Sequence, residues 1–269
     1  MRLSEHVTSR QSQIVLGLDP DPSRVDGGAM GARDFCLRVI EQAAPSCVAA
    51  KPQLACFERF GPAGWAAFED VARAASDAGL LVIADAKRGD VDATARHYAA
   101  AFLRPPIDAL TINPMLGTDA VEPFLDAARA TGTGLFVLVR TSNPGAAELE
   151  DLPLADGRLW HEAVAERVHA WGAALPPCDS GLSSVGAVVG ATVPERIARL
   201  RALMPDQPFL LPGVGAQGGD PARLGPAFGG RIAGALVSAS RSVIYADDPA
   251  AAARDLRDVV WGAWEAVAG

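Results

Sequence analysis

The feature that most constrains this chain is an alternation that runs through its whole length. Apolar, β-branched runs stand at 14–18, 47–50, 80–84, 109–112, 135–139, 185–189, 209–211 and 232–237. Ala-rich amphipathic stretches lie between most of them, among them 63–78, 119–130, 159–171, 194–203 and 249–267. Short apolar runs read as buried strands, and the 3.6-residue apolar spacing between them reads as helices. Eight strands separated by helices point to a closed (β/α)8 TIM barrel, whose typical length of roughly 250 residues is near that of this chain. The expectation is one domain over residues 1–269. An open doubly wound sheet is the alternative. Against it, no GxGxxG follows the first strand, where Gly17-Leu18-Asp19-Pro20 stands instead.

Composition narrows the class further. With 49% hydrophobic and 21% charged residues, the 269-residue chain can bury a large core. A formal net charge of −8 argues against general binding to nucleic acid or to an anionic membrane, although a local anion site is compatible with it. The start, Met1-Arg2-Leu3-Ser4-Glu5-His6, has no signal-peptide core, and no apolar run is long enough to span a bilayer, so a cytoplasmic location is expected. Cys36, Cys47, Cys56 and Cys178 form no CxxC pair, and buried or free thiols are expected.

In a barrel of this kind catalytic residues sit at the C-terminal strand ends, and phosphate is often held by the loops after the seventh and eighth strands. The polar residues of this chain fall there. Asp19 ends the first strand, Lys51 the second, Asp85 and Lys87 the third and Asn113 the fourth, and Thr141-Ser142 follow the fifth. The glycine-rich segment 212–220, containing Gln217, follows the seventh strand, and Ser240-Arg241 follow the eighth. Glycines let backbone N–H groups approach an anion closely, and an arginine adds a planar multi-donor cation. A phosphorylated small substrate is implied.

The third strand end is the most specific of these. Side chains two apart on a strand share a face, so Asp85 and Lys87 point the same way, with Asp90 just beyond. Taken alone, such a pattern is more often an ion pair closing a strand. Here it stands among other polar strand ends in the order a barrel site requires.

These segments, from Leu18-Asp19-Pro20-Asp21 through Lys51-Pro52-Gln53, Asp85-Ala86-Lys87-Arg88-Gly89-Asp90 with Thr94, Asn113-Pro114, Thr141-Ser142-Asn143-Pro144-Gly145 and 212–220 to Ser240-Arg241, resemble the orotidine 5′-phosphate decarboxylase family, particularly its bacterial type 2 subfamily. The resemblance covers nearly the whole chain. It implies a (β/α)8 homodimer that converts orotidine 5′-monophosphate to uridine 5′-monophosphate, the last step of de novo pyrimidine synthesis, without metal or cofactor. Ser240 departs from the commoner pattern, in which a Gly often precedes the arginine.

The implied chemistry explains the residue types. Loss of CO2 from C6 of the pyrimidine leaves charge in an in-plane orbital that the ring cannot delocalise. An ammonium in a preorganised site stabilises that charge and then delivers the proton. Lys87 is expected in both roles, Asp85 and Asp90 keep it protonated, and Lys51 completes an alternating array. By resemblance, Asp85 lies near the substrate carboxylate, Asp19 takes ribose hydroxyls, Ser142 meets the pyrimidine amide, Gln217 bridges base and phosphate, Arg241 and the glycine-rich loop hold the phosphate, and Ser240 is counted with the substrate-binding residues. Asp90 and Thr94 are expected to reach into the partner subunit's site. Asn113 is left out, because Asn-Pro after a strand is a common turn signal.

Two other functions fit part of the pattern. A metal-dependent 3-keto-gulonate-phosphate decarboxylase-like enzyme shares DxKxxD but wants a carboxylate at the end of the second strand, where Lys51 stands and would repel a cation. A non-catalytic nucleotide-binding barrel would not need Lys87 between two carboxylates. His6, His97, His161 and His169 form no HExxH pattern and are expected on helix surfaces. Trp65, Trp160, Trp171, Trp261 and Trp264 read as packing residues of helices.

Overall fold

The computed structural model describes residues 2–175, 181–191, 194–214 and 219–268. Its strands are β1 (Ile14–Leu18), β2 (Ala49–Pro52), β3 (Leu81–Arg88), β4 (Ala109–Ile112), β5 (Gly134–Arg140), β6 (Val185–Val189), β7 (Phe209–Pro212) and β8 (Ala235–Ala239). They form one closed parallel barrel in chain order. Closure is made by β1 against β8, where Ile14, Val15 and Leu16 are in register with Val237, Ser238 and Ala239. The helices are α1 (Arg2–Arg10), α2 (Gly28–Ala43), α3 (Gly61–Asp77), α4 (Asp92–Phe102), α5 (Thr118–Thr131), α6 (Trp160–Ala173), α7 (Pro194–Leu203) and α8 (Pro249–Ala268), with single turns between some of them. The (β/α)8 expectation is met, and the open sheet is excluded by the β1–β8 pairing. Among the described residues no helix is long and apolar enough to cross a membrane.

Strand alternation sorts the core into two parts. Ile14, Leu16, Leu18, Val82, Ala84, Leu110 and Ile112 belong to a cluster with helix residues such as Val39, Phe68 and Val71, so they face outward to the helical layer. Val15, Ala49, Leu81, Ile83, Ala109, Phe136, Val188, Leu210 and Leu236 form a second cluster, the filling of the barrel. Gly186 makes room there, because a Cβ on it would lie 2.6 Å from the Phe136 ring. Toward the C-terminal ends, the inward positions turn polar and supply Lys51, Asp85, Thr111 and Ser238, all buried. The barrel is thus apolar at one end and ionic at the other.

The N-terminal end is closed by α1, a helix that the apolar-run reading does not anticipate. Only Leu3 and Val7 of this short, mostly polar segment pack on the barrel filling, and Val7 is fully buried. Arg10, at its end, donates to the carbonyls of Ala44, Cys47, Ala78 and Gly79 at 2.8–3.1 Å. The strand limits shift in one direction: β2, β3, β5, β7 and β8 all extend beyond the apolar runs at their C-terminal ends. Among the described residues Cys36, Cys47 and Cys56 are free, with the first two buried. Cys178 lies outside the described residues.

Candidate active site

Five ionic and polar side chains, Lys51, Gln53, Asp85, Lys87 and Thr111, meet inside the C-terminal mouth of the barrel. Lys51 Nζ is 2.5 Å from Asp85 Oδ2, and Lys87 Nζ is 2.5 Å from Asp85 Oδ1. Asp85 Oδ1 also accepts from Thr111 Oγ1 at 3.0 Å, and Oδ2 accepts from Gln53 Nε2 at 3.2 Å. A carboxylate only 5% exposed is therefore fully engaged. Burial by itself would push the Asp85 carboxyl up, but the two ammonium groups outweigh it and hold it well below the usual carboxylate range. Lys51 shows the mirror-image balance. Burial disfavours its charge, while Asp85 and Asp19 prevail and hold it above the usual lysine range.

Lys87 differs from Lys51 in exposure and in backbone. Its side chain is 42% exposed, so the ammonium that Asp85 anchors also faces the open mouth. Its φ of +49° lies in the left-handed region, which costs a non-glycine residue of order 1–3 kcal/mol. The cause is a bulge: Ala84 pairs with Leu110 and Arg88 with Ile112, so four steps along β3 span two along β4. Three contacts hold the bulge. Lys87 N donates to Thr111 Oγ1 at 2.9 Å, Asn113 N donates to the Arg88 carbonyl at 2.8 Å, and the Arg88 guanidinium pairs with Glu58 while lying over the Tyr98 and Phe102 rings. Gly89 is required because a Cβ there would sit 2.6 Å from the Asn113 carbonyl oxygen.

Of the remaining expected residues, Asp19, Ser240 and Arg241 stand together at the ends of β1 and β8. Asp19 follows β1, and its buried Oδ1 has no hydrogen-bond partner among the described residues. Ser240 Oγ, at the end of β8, is likewise buried and unpartnered. A ligand hydroxyl donating to Asp19 Oδ1 and a phosphate oxygen accepting from Ser240 Oγ would satisfy them. Gly17 admits Ser240, since a Cβ on it would lie 2.8 Å from Ser240 Cβ. Arg241 opens the short helix Arg241–Ile244 and is exposed. The glycine loop is pinned at its base, where Gly219 N donates to the Gly213 carbonyl at 3.1 Å. Gln217 lies outside the described residues. Asp90 is half-buried, accepts from Val91 N at 2.8 Å and makes no ion pair with Lys87 of its own chain among the described residues. Thr94 is exposed on α4.

Ser142 sits on a loop fastened by a half-buried network. Arg140 donates to both Asp151 oxygens at 3.2 and 3.0 Å, and Thr141 N donates to Glu150 Oε2 at 2.8 Å. Gly190 lets the loop descend, because a Cβ there would be 2.9 Å from Ser142 Cα. His161 corrects an expectation. It is 1% exposed rather than on a helix surface, with Nδ1 donating to the Glu150 carbonyl at 2.7 Å and lying 3.0 Å from Asp151 Oδ1. Its helix starts beneath this loop, and the loop's carboxylate and carbonyl replace solvent. Thr111 and Gln53 were not among the expected site residues either. The available signal was inward parity: Thr111 lies two residues beyond the inward Ala109, and Gln53 two beyond Lys51.

Comparisons with known proteins identify the family of the barrel. The model of the "Orotidine 5′-phosphate decarboxylase / HUMPS family" matches residues 12–256. The orotidine 5′-phosphate decarboxylase of Deinococcus radiodurans is 43% identical over 268 residues, covering 97% of this chain and 96% of that protein. That of Haloarcula marismortui is 41% identical over 261 residues, covering 94% and 89%. Among solved structures, the orotidine monophosphate decarboxylase of Leishmania donovani superposes with a TM-score of 0.82 at 36% identity, covering 98% of this chain and 99% of that one. With relatives above 40% identity along nearly its full length and a barrel that superposes end to end, the chain belongs to the orotidine 5′-phosphate decarboxylase family.

Proposed function

We propose that this chain is a carboxy-lyase that converts orotidine 5′-monophosphate to uridine 5′-monophosphate and CO2 in pyrimidine biosynthesis. The observation that carries the reading is the Lys51–Asp85–Lys87 array, with a buried carboxylate held between two ammonium groups and only the second ammonium open to the mouth. In this reading the pyrimidine lies with C6 at Lys87 Nζ. The C6–CO2 bond breaks, its electron pair stays on C6 beside the ammonium, and a proton passes from Nζ to C6 as CO2 leaves. Asp85 fixes the ammonium and faces the departing carboxylate. Asp19 takes the ribose hydroxyls, Ser142 the pyrimidine amide, Gln217 the span from base to phosphate, and Ser240 and Arg241 the phosphate. The orphaned Asp19 Oδ1 and Ser240 Oγ support the two polar ends of that placement. No metal or cofactor has a step in this scheme, and a cytoplasmic enzyme of one domain fits it.

The same reading makes the working unit a homodimer. Asp90 makes no ion pair in its own chain among the described residues, and the loops after β3 and β4 carry the exposed apolar side chains Val91, Met115 and Leu116. A second copy of the chain would cover these apolar side chains and carry Asp90 and Thr94 to its neighbour's Lys87. The metal-dependent alternative is disfavoured by Lys51, whose ammonium occupies the position where a metal-binding carboxylate would be needed. A decarboxylation assay with orotidine 5′-monophosphate, followed by absorbance with and without EDTA, tests the proposal. Turnover in EDTA supports it, and turnover that depends on added Mg2+ revives the alternative.

A further inference from the structure

A second cleft, of about 390 Å³, opens on the catalytic face between the loops that follow β1, β2 and β8. Asp19 and Arg241 line it, so it adjoins the ribose and phosphate positions proposed above. Each of the three loops sends one arginine to it: Arg24, Arg59 and Arg241. Among the described residues, none of the three is spent on an ion pair or a hydrogen bond. Arg24 is nonetheless held in place. Its guanidinium lies 3.8 Å over the Tyr245 ring, Tyr245 stacks on Phe35 at 5.3 Å, and the Tyr245 hydroxyl accepts from Asp21 N at 2.6 Å. Stacking fixes the plane of a guanidinium and leaves its in-plane N–H donors free for an oxyanion.

The two carboxylates of the cleft offset the charge of its three arginines only in part: Arg24 and Arg59 both act on Asp21, yet among the described residues no arginine is hydrogen-bonded to either aspartate. Asp21 Oδ1 turns into its own loop and accepts from Ser23 N and Ser23 Oγ, both at 2.8 Å. Asp19 is assigned to the ribose. Cys56 forms part of the wall, and burial pushes its thiol up to about 11, so it is a neutral surface and not a nucleophile. The cleft therefore offers two unused guanidinium groups, Arg24 and Arg59, just beyond the one that takes a 5′-phosphate.

We propose that Arg24 and Arg59 form an outer phosphoryl subsite, so that a pyrimidine nucleoside 5′-diphosphate binds in the substrate's place with its first phosphate at Arg241 and its second between Arg24 and Arg59. This rests on the reading of Arg241 as the phosphate residue. The consequence is competitive inhibition by a nucleotide one phosphorylation beyond the product. Both arginines are exposed, so replacing them should leave the fold intact.

Titration calorimetry with uridine 5′-monophosphate and uridine 5′-diphosphate tests this on the wild type and on the Arg24→Gln/Arg59→Gln double variant. The wild type should bind the diphosphate about tenfold or more tightly than the monophosphate, the fold-change that one charge-assisted hydrogen bond supplies. The double variant should bind the two equally, with monophosphate affinity and turnover of orotidine 5′-monophosphate within about twofold of wild type. Equal binding by the wild type, a preference that the double variant keeps, or diphosphate that monophosphate fails to displace would each overturn the subsite. Failure of the parent reading has a different signature: Arg241→Ala would then bind uridine 5′-monophosphate like the wild type.

Discussion

Lys51, Asp85 and Lys87 act as one electrostatic unit, and its members have unequal consequences when removed. Asp85→Asn leaves two ammonium groups facing each other in a buried mouth, and loss of one partner from a buried pair costs about 3–5 kcal/mol. The pH dependence follows from the depressed Asp85 pKa. A carboxylate whose folded pKa lies below its unfolded value of about 3.9 stabilises the fold above that pH and loses the contribution as pH falls toward the folded value. Denaturant unfolding of wild type and Asp85→Asn should therefore show a gap at pH 7 that narrows as pH drops below about 4. A constant gap would mean that Asp85 is not held ionised by its neighbours. At the phosphate end, Arg241→Ala should lower kcat/KM by about a hundredfold, since charged hydrogen bonds contribute roughly 1.5–3 kcal/mol each. An unchanged kcat/KM would remove Arg241 from the site. At this scale the charged residues were legible, because parity along β3 puts Asp85 and Lys87 on one face. Thr111 and Gln53 were not, since a lone Thr or Gln has no signature until its partner is seen. His161 was misread for the same reason, because its partner Asp151 is on a loop ten residues earlier.

Elements were legible in number and order and less so in their limits, for a physical reason that also locates the site. An apolar-run criterion stops a strand at its first polar residue. In this barrel the inward face becomes polar where the strands approach the mouth, so β2 carries Lys51, β3 continues through Asp85 to Arg88, and β8 includes Ser238. The residues lost from the predicted strand ends include the whole ionic array, Lys51, Asp85 and Lys87. At the start of β8 the opposite error occurs: Ile232 reads as strand, yet the chain turns there, with Gly234 N donating to the Arg231 carbonyl at 2.9 Å. The β3 bulge had no sequence signal beyond Gly89. Close approach of elements predicts what Gly17→Ala does. The new Cβ would meet Ser240 at 2.8 Å, and the added methyl in a packed position costs about 1–3 kcal/mol. The variant should melt lower and show a raised KM, as β8 and its phosphate residues move outward. An unchanged KM would show that β8 placement does not set phosphate binding.

For the whole molecule, the decisive question is what one chain lacks. Its site holds Lys51, Asp85 and Lys87 together, while among the described residues Asp90, on the loop beyond the bulge, makes no ion pair with Lys87, and Thr94 is exposed on α4. If a twofold partner supplies Asp90, Lys87→Ala and Asp90→Asn homodimers are both nearly inactive, whereas a mixed dimer has one doubly defective site and one intact site. Random reassociation of equal amounts makes about half the dimers mixed, so activity should return to about a quarter of wild type. No recovery, with subunit exchange confirmed by mass spectrometry, would place Asp90 in its own chain's site. The central claim, that the Lys87 ammonium both stabilises the C6 carbanion and protonates it, is tested most directly by turnover of orotidine 5′-monophosphate in D2O with EDTA present, using wild type and Lys87→Ala. The account predicts uridine 5′-monophosphate carrying one deuterium at C6 from the wild type and a folded but inactive Lys87→Ala. Substantial turnover by Lys87→Ala, or wild-type turnover that appears only when Mg2+ is restored, would contradict it.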